Sequence, residues 1–295
     1  MKYALFTGCA AKGACPELYQ SATKVAQLLG LELTELKSAA CCGAGVVGEG
    51  DPDLALAINA RTFAQAEATG LPVMTICGTC QGVLSGANKR LKEDPATRER
   101  INGMLAPDGI AYGGTTEVKH LLWVLIQDVG LERLRKAVTR SLAGLRIAPF
   151  YGCYILRPST NLGFDDPNNP TSLEMLITAL GGERIDYSGR IKCCGFPLVL
   201  EQESMALAMS GDNTAEAKRE GADCMVTPCP LCHMSLDIYQ QRAERLRGER
   251  LDMPIFHLPQ LVGLALGLSE EDLGLSRHMV SVAGAVTKLG GDSAP

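Results

Sequence analysis

The sequence predicts an α/β fold of two pseudo-symmetric domains, each a small, mostly parallel sheet with flanking helices. Three observations carry the prediction. An adjacent cysteine pair followed by glycine occurs twice, as Cys41-Cys42-Gly43 and Cys193-Cys194-Gly195. Each pair follows a lone cysteine, Cys9 or Cys153, and precedes a Cys-x-x-Cys, Cys77 with Cys80 or Cys229 with Cys232. In both halves, short apolar runs alternate with stretches of helical period.

Taken in order, Tyr3 to Thr7 is an apolar and aromatic run that delivers Cys9 beyond Gly8, and Arg146 to Tyr151 does the same for Cys153 beyond Gly152. Both are expected strands. Tyr19 to Leu29 has helical spacing, with Val25, Leu28 and Leu29 on one side. Ser172 to Leu180 sets Leu173, Leu176, Ile177 and Leu180 on one face and is stopped by Gly181-Gly182. Val73 to Ile76 and Cys224 to Thr227 read as strands entering the Cys-x-x-Cys motifs. Helices are expected after them, over Gln81 to Leu91 and His233 to Leu246, the latter with one charged, solvated side. A third echo, Val118-Lys119-His120-Leu121-Leu122 against Ile255-Phe256-His257-Leu258-Pro259, closes each half and argues for duplication. The expected boundaries are a first domain over 1–140 and a second over 141–275, with the Lys- and Arg-rich 130–146 stretch as junction. A loosely ordered tail is expected over 276–295, where Gly, Ser, Ala and Val lose their period.

A chain of 295 residues suffices for two domains of roughly 150 residues that fold without staples. The first twenty residues lack the continuous apolar core of a signal peptide, so a cytoplasmic location is expected. There, twelve cysteines are metal ligands or redox thiols in preference to disulfides. No stretch approaches the ~18 to 20 uninterrupted apolar residues of a transmembrane segment; Leu258 to Leu268, the most apolar, is too short. A net charge of −5 with interspersed signs and few aromatics offers no basic face, so nucleic acid is not an expected partner.

Parallel strands with helical crossovers bring their carboxyl ends to one edge, where ligands of open α/β sheets bind. Cys9 and Cys77 would converge there, with Cys41-Cys42 brought in from a loop, giving five thiolates per half. Five thiols, two of them adjacent, fit tetrahedral zinc poorly. An iron–sulfur cluster needs several soft thiolates, yet the closely repeated Cys-x-x-Cys of ferredoxins is absent, which suggests an arrangement other than the ordinary cube.

The pattern Cys-x31-Cys-Cys-Gly-x33-Cys-x2-Cys, repeated as Cys-x39-Cys-Cys-Gly-x33-Cys-x2-Cys, resembles the CCG-domain family and, within it, the B subunit of heterodisulfide reductase. The likeness runs from residue 1 to about 270. It includes Tyr151-Gly152-Cys153, Arg157-Pro158-Ser159, Asp166-Pro167-Asn168-Asn169-Pro170-Thr171-Ser172-Leu173 and Cys229-Pro230-Leu231-Cys232. The resemblance implies two CCG domains and two non-cubane 4Fe-4S clusters that face one another, with a substrate disulfide cleaved or formed between them. It implies that Cys9, Cys41, Cys42, Cys77 and Cys80 hold one cluster and Cys153, Cys193, Cys194, Cys229 and Cys232 the other, with Cys193, Cys194 and Tyr154 at the chemistry. It further implies two partners, the ferredoxin-like iron–sulfur (C) subunit and the flavin-containing (A) subunit of such complexes; no Gly-x-Gly-x-x-Gly follows a strand here to bind a dinucleotide.

Tyr154 departs from the pattern, since the methanogen enzymes carry histidine after the equivalent of Cys153. Histidine exchanges a proton near neutrality, whereas tyrosine, with an ordinary pKa of about 10, donates a hydrogen bond and rarely ionises. That change, with the Ala, Leu and Arg usage, points to the soluble heterodisulfide-reductase-like complex of sulfur-oxidising bacteria, which works with a lipoate-binding sulfur carrier. Two other readings stay open: an electron-transfer component of a lactate-, glycolate- or succinate-type dehydrogenase, and a zinc-stabilised docking scaffold.

Outside the motifs, Cys224 is expected in the core, and Cys15 as a spare thiol or a lining residue of the first site. His120 and His257 are expected as core or capping residues, and His233 as a donor to a cluster sulfur. Arg157, Lys192 and Lys218 are candidates to hold an acidic substrate group, with surface solvation as the default. Pro228 and Pro230 remove N–H groups that Ile76-Cys77-Gly78 keeps, so the first cluster is expected to be the easier to reduce.

Overall fold

The computed structural model describes residues 1–289. Among them, eight strands form two four-stranded sheets: β1 (Lys2–Phe6), β2 (Glu32–Glu35), β3 (Val73–Thr75) and β4 (Val118–His120) in one, β5 (Arg146–Pro149), β6 (Glu183–Arg184), β7 (Cys224–Thr227) and β8 (Ile255–His257) in the other. The orders are β2-β1-β3-β4 and β6-β5-β7-β8, and every neighbouring pair is parallel. In each sheet the order reverses between the first and third strands, so a cleft opens at the carboxyl ends of β1 and β3, and of β5 and β7. Those strands deliver Cys9, Cys77, Cys153 and Cys229.

Local chemistry sets the crossover helices. Pro52 opens the helix Pro52–Thr69, the Asp51 carboxylate accepts from Leu54 N (3.0 Å), and Gly70 at φ 67° ends it. The helix Gly78–Glu93 begins directly at Cys77, whose Sγ accepts from Cys80 N at 3.4 Å. Its counterpart is broken into Pro230–His233, a π-helical turn Met234–Ile238 and Gln240–Arg247, where one helix over His233 to Leu246 was expected. The extra residue of the π turn lets Asp237 fall inward, where it accepts from Met279 N and Val280 N at 2.9 and 3.0 Å.

The two halves share their cores. Helix Pro16–Leu28 of the first half packs on Leu258–Ala265 of the second, and Val25, Leu29, Leu261, Val262 and Ile147 belong to one buried cluster. The tail expected to be loose is not so over 276–289. Residues Ala283–Lys288 form a helix that buries Ala285 and Val286 in that same cluster, and Arg140 donates to Val286 O at 3.2 Å. A short run of small apolar residues at helical spacing was enough to dock it. Residues 290–295 lie outside the described region.

Candidate metal centres

In both halves the chain turns at a glycine two residues or more past a strand end. Gly8 and Gly152 stand at φ 72° and 71°, and a Cβ on them would lie 3.1 Å from Cys80 Sγ and 2.7 Å from Cys232 Sγ. Only glycine allows the lone-cysteine loop to pass so close to the last sulfur of the Cys-x-x-Cys. The adjacent pair is set by its own glycine: Gly43 N and Gly195 N donate to Cys41 Sγ (3.5 Å) and Cys193 Sγ (3.3 Å).

The thiols follow one another in the same order in each half. Cys9 meets Cys41 at 3.6 Å, Cys41 neighbours Cys42, Cys42 neighbours Cys80, and Cys80 neighbours Cys77. Cys153, Cys193, Cys194, Cys232 and Cys229 repeat the sequence. The two sets meet where the Cys77 thiol neighbours that of Cys229, and Thr79 Oγ1 lies 3.3 Å from Cys229 Sγ. Cys9 and Cys41 are exposed, Cys153 and Cys193 half-buried, and the other six buried.

Charge tests whether these residues suit a soft metal group. The thiols of Cys41 and Cys193 are driven below the ordinary thiol range by neighbouring thiols and by the glycine N–H groups. The thiols of Cys9 and Cys153 are driven up, each by the partner it shares a proton with, and burial adds to it. Thiols packed this closely cannot all ionise without a cation among them, and iron would supply that charge. The donor set fits.

A cavity of about 320 Å³ opens at the second set. Cys153, Cys194, Cys229 and Cys232 form one wall, and Ala44, Gly45, Gly78 and Thr79 of the first half form the other. Tyr154, Ile155, Phe196, Leu198 and Leu231 make the remainder largely apolar, and Glu49 and Glu201 are its charged residues; among the described residues no Lys, Arg or His lines it. Tyr154 thus stands at the cavity, over Gly82, where a Cβ would lie 3.0 Å from its ring. Cys193 does not line it, and neither do the first-half cysteines; Cys9 and Cys41 face a separate cavity of about 210 Å³ with Lys12 and Lys37.

Several expected second-rank residues are elsewhere. Arg157 donates to Ile191 O (3.1 Å) and Pro167 O (2.7 Å), Lys192 to Ser188 Oγ (2.9 Å) and Lys218 to Arg250 O (2.8 Å), so none meets the cavity. His233 points away from the sulfurs, its Nε2 against Ile255 O at 3.1 Å. Gly78 N–H, part of the expected asymmetry between the centres, donates to Pro228 O at 3.1 Å and not to sulfur. Cys15 lies near Cys229 of the second set, not at the first site. Cys224 is buried in β7, and His120 caps the next helix, its Nδ1 accepting from Leu122 N at 2.9 Å. Sequence reasoning missed Asn59 and Asn213. Their amides donate to Cys42 O and Cys193 O, both at 3.0 Å, and so pin the adjacent-cysteine loops from repeat-related helices. An asparagine at the matching place of both crossover helices was the available signal.

Comparison with known proteins places these features. The model of the cysteine-rich (CCG) domain matches residues 3–85 and again 147–237. The 8-methylmenaquinol:fumarate reductase membrane anchor subunit of Wolinella succinogenes is 42% identical over 98% of this chain and 99% of its own. The B subunit of the ferredoxin/F420H2-dependent CoB-CoM heterodisulfide reductase of Methanosarcina acetivorans is 32% identical over 95% and 94%. A heterodisulfide reductase B-subunit-like protein of Archaeoglobus profundus is 32% identical over 92% of each. A solved structure of a hypothetical Helicobacter pylori protein shares the fold at TM-score 0.77 and 17% identity; it covers 95% of this chain, which spans about half (52%) of that one. No helix of the described residues is long and apolar enough to cross a membrane. The chain belongs to the cysteine-rich CCG family and is related over nearly its whole length to the B subunits of heterodisulfide reductases.

Proposed function

We propose that this chain is the iron–sulfur component of a quinone-linked, flavin-dependent dicarboxylate oxidoreductase. In it, Cys9, Cys41, Cys42, Cys77 and Cys80 hold one 4Fe-4S cluster and Cys153, Cys193, Cys194, Cys229 and Cys232 the other. Five thiols per set exceed the four an ordinary cube takes, which supports the non-cubane form. Bound there, the clusters supply one-electron storage beside the cavity. Electrons pass through partner proteins, one ferredoxin-like and one bearing flavin, and the chain sits at the cytoplasmic face of the membrane, held by its partners.

The carrying observation is the cavity beside Cys153, Cys194, Cys229 and Cys232, with largely apolar walls and, among the described residues, no cationic one. A disulfide flanked by phosphate or sulfonate groups would need cations to replace its water. An uncharged quinone ring needs none. Its reduction takes two electrons and two protons, and the residues of the chain divide the remaining work. Ile155, Phe196 and Leu231 exclude water, Tyr154 donates a hydrogen bond to a quinone oxygen, and the exposed carboxyls Glu49 and Glu201 exchange protons with solvent. The 42% identity to the fumarate reductase protein of Wolinella supports the same reading.

The heterodisulfide reductase relatives favour a second substrate class, a disulfide, and this cavity would suit an uncharged one such as a lipoyl amide. Stopped-flow oxidation of the reduced protein, made without oxygen, by a water-soluble naphthoquinone and by lipoamide separates the two. The quinone should react, and Tyr154→Phe should slow it by roughly tenfold at most, the worth of one hydrogen bond of ~0.5–1.5 kcal/mol. Reaction with lipoamide alone overturns the quinone reading and returns the chain to disulfide chemistry, with sulfur oxidation among its settings.

A further inference from the structure

Beside the cluster cysteines, and outside both motifs, four further side chains meet inside the protein. Cys15 and Glu17 come from the start of the helix Pro16–Leu28, His233 from the end of Pro230–His233 and His257 from the end of β8. One ligand atom of each lies within 4.8 Å of every other, and the residues are only 1%, 5%, 2% and 0% exposed. Two residues of each half thus meet in one buried group. We propose that Cys15, Glu17, His233 and His257 form a closed four-ligand site for a zinc-type divalent ion that staples the two halves together.

Donor chemistry supports it. One thiolate, one carboxylate and two neutral imidazoles make a tetrahedral set for zinc, and their charge of −2 cancels that of the ion. Left without an ion, the group must stay neutral. Burial raises the Glu17 carboxyl, pushes the Cys15 thiol up to about 12 and holds both imidazoles well below their ordinary value. The imidazoles stack at 3.7 Å between centroids with 17° between planes, which two protonated rings would resist.

An unused nitrogen points the same way. Nδ1 of His233 is buried without a hydrogen-bond partner. His233 anchors its Nε2 on Ile255 O (3.1 Å), which fixes the ring and leaves Nδ1 for a metal, as ligating histidines commonly arrange. The repeat partner of His257 shows what a purely structural histidine does here. His120 Nδ1 accepts from Leu122 N, but two residues beyond His257 stands Pro259, which has no N–H to give. His257 therefore lacks the bond that His120 makes and caps its helix through Gln260 instead, and its Nε2, the nitrogen that would face an ion, lies 3.1 Å from Glu17 Oε1, close to the ~3.3–3.8 Å edge of a tetrahedral zinc shell. Filling the site requires the ligand atoms to draw in from 4.8 Å and one ring to turn out of the stack.

The test is zinc content and zinc K-edge X-ray absorption on the full chain, made with zinc in the medium, purified without oxygen and dialysed against a weak chelator. About one zinc per chain is expected, with one sulfur near 2.3 Å and three nitrogen or oxygen neighbours near 2.0–2.1 Å. Cys15→Ser should lose that zinc while iron and sulfide stay unchanged. Should the variant not fold, the wild-type absorption spectrum decides alone. Zinc below about a tenth of an equivalent, or zinc retained by Cys15→Ser, overturns the site. A four-sulfur shell also overturns it, and separately counts against a cluster at one of the cysteine motifs.

Discussion

Replacing Gly152 by alanine tests the close approach on which the second centre rests. Two costs add. An L-residue in the left-handed region, here φ 71°, loses about 1–2 kcal/mol. The new Cβ would lie 2.7 Å from Cys232 Sγ, closer than carbon and sulfur tolerate, and overpacking of that kind costs a further ~1–3 kcal/mol. Gly70→Ala supplies the control, since Gly70 has φ 67° and no atom within 4 Å of the added carbon. Gly8→Ala, at 3.1 Å from Cys80 Sγ, should fall between the two. Urea unfolding without oxygen should therefore rank Gly70→Ala at ~1–2, Gly8→Ala above it and Gly152→Ala at ~2–5 kcal/mol, with iron lost from Gly152→Ala and not from Gly70→Ala. If Gly152→Ala unfolds no more easily than Gly70→Ala and keeps its iron, the glycine is not needed by the sulfur, and the argument for the cradle fails.

Three other perturbations read different parts of the molecule. Arg190 pairs with Glu174 at 2.8 Å, their side chains 14% and 7% exposed, so Arg190→Ala leaves that buried carboxyl with the Tyr151 hydroxyl as its remaining donor and should cost ~1–3 kcal/mol in urea unfolding. Asn213→Ala removes a donor to Cys193 O from a residue 3% exposed and should cost ~1–3 kcal/mol; no change would mean the loop holds itself. Burial raises the Asp237 carboxyl from 3.8 to about 6. The folded chain thus holds that proton more tightly than the unfolded one, so stability is full below the unfolded pKa and is lost as pH rises through about 6. Between pH 5 and 6.5 the wild type should lose on the order of 1–2 kcal/mol that Asp237→Asn does not lose, and equal slopes would dismiss Asp237 as the source.

Much of the arrangement of the two cysteine sets is legible in one dimension because their thiols are tied to strand ends. A short apolar run terminating in glycine and cysteine marks Cys9 and Cys153, and the same logic marks Cys77 and Cys229. The amides of Asn59 and Asn213 were not legible from propensity, since an asparagine inside a helix carries no sign of which carbonyl it will reach. The direction of His233 was misjudged for a related reason. Adjacency to Cys232 suggests a donor to sulfur, but successive helical residues point about 100° apart, and the ring turns instead to Ile255. The docking of Ala283–Lys288 was hidden by composition, because Ala and Val at a chain end look alike whether or not a groove receives them.

Spacing along the chain is enough to establish the duplication, the two sets of five cysteines and the α/β class, because each depends on residues within a turn of one another or on a repeated interval. Other features exist only once the halves have folded together: the strand order that brings β1 beside β3, the approach of Cys77 to Cys229, the largely apolar wall of the cavity, and the meeting of Glu17 with His257 across 240 positions of chain. Contacts of that reach follow from how the two halves pack, and packing is chosen by the whole buried surface at once, not by any local run of residues.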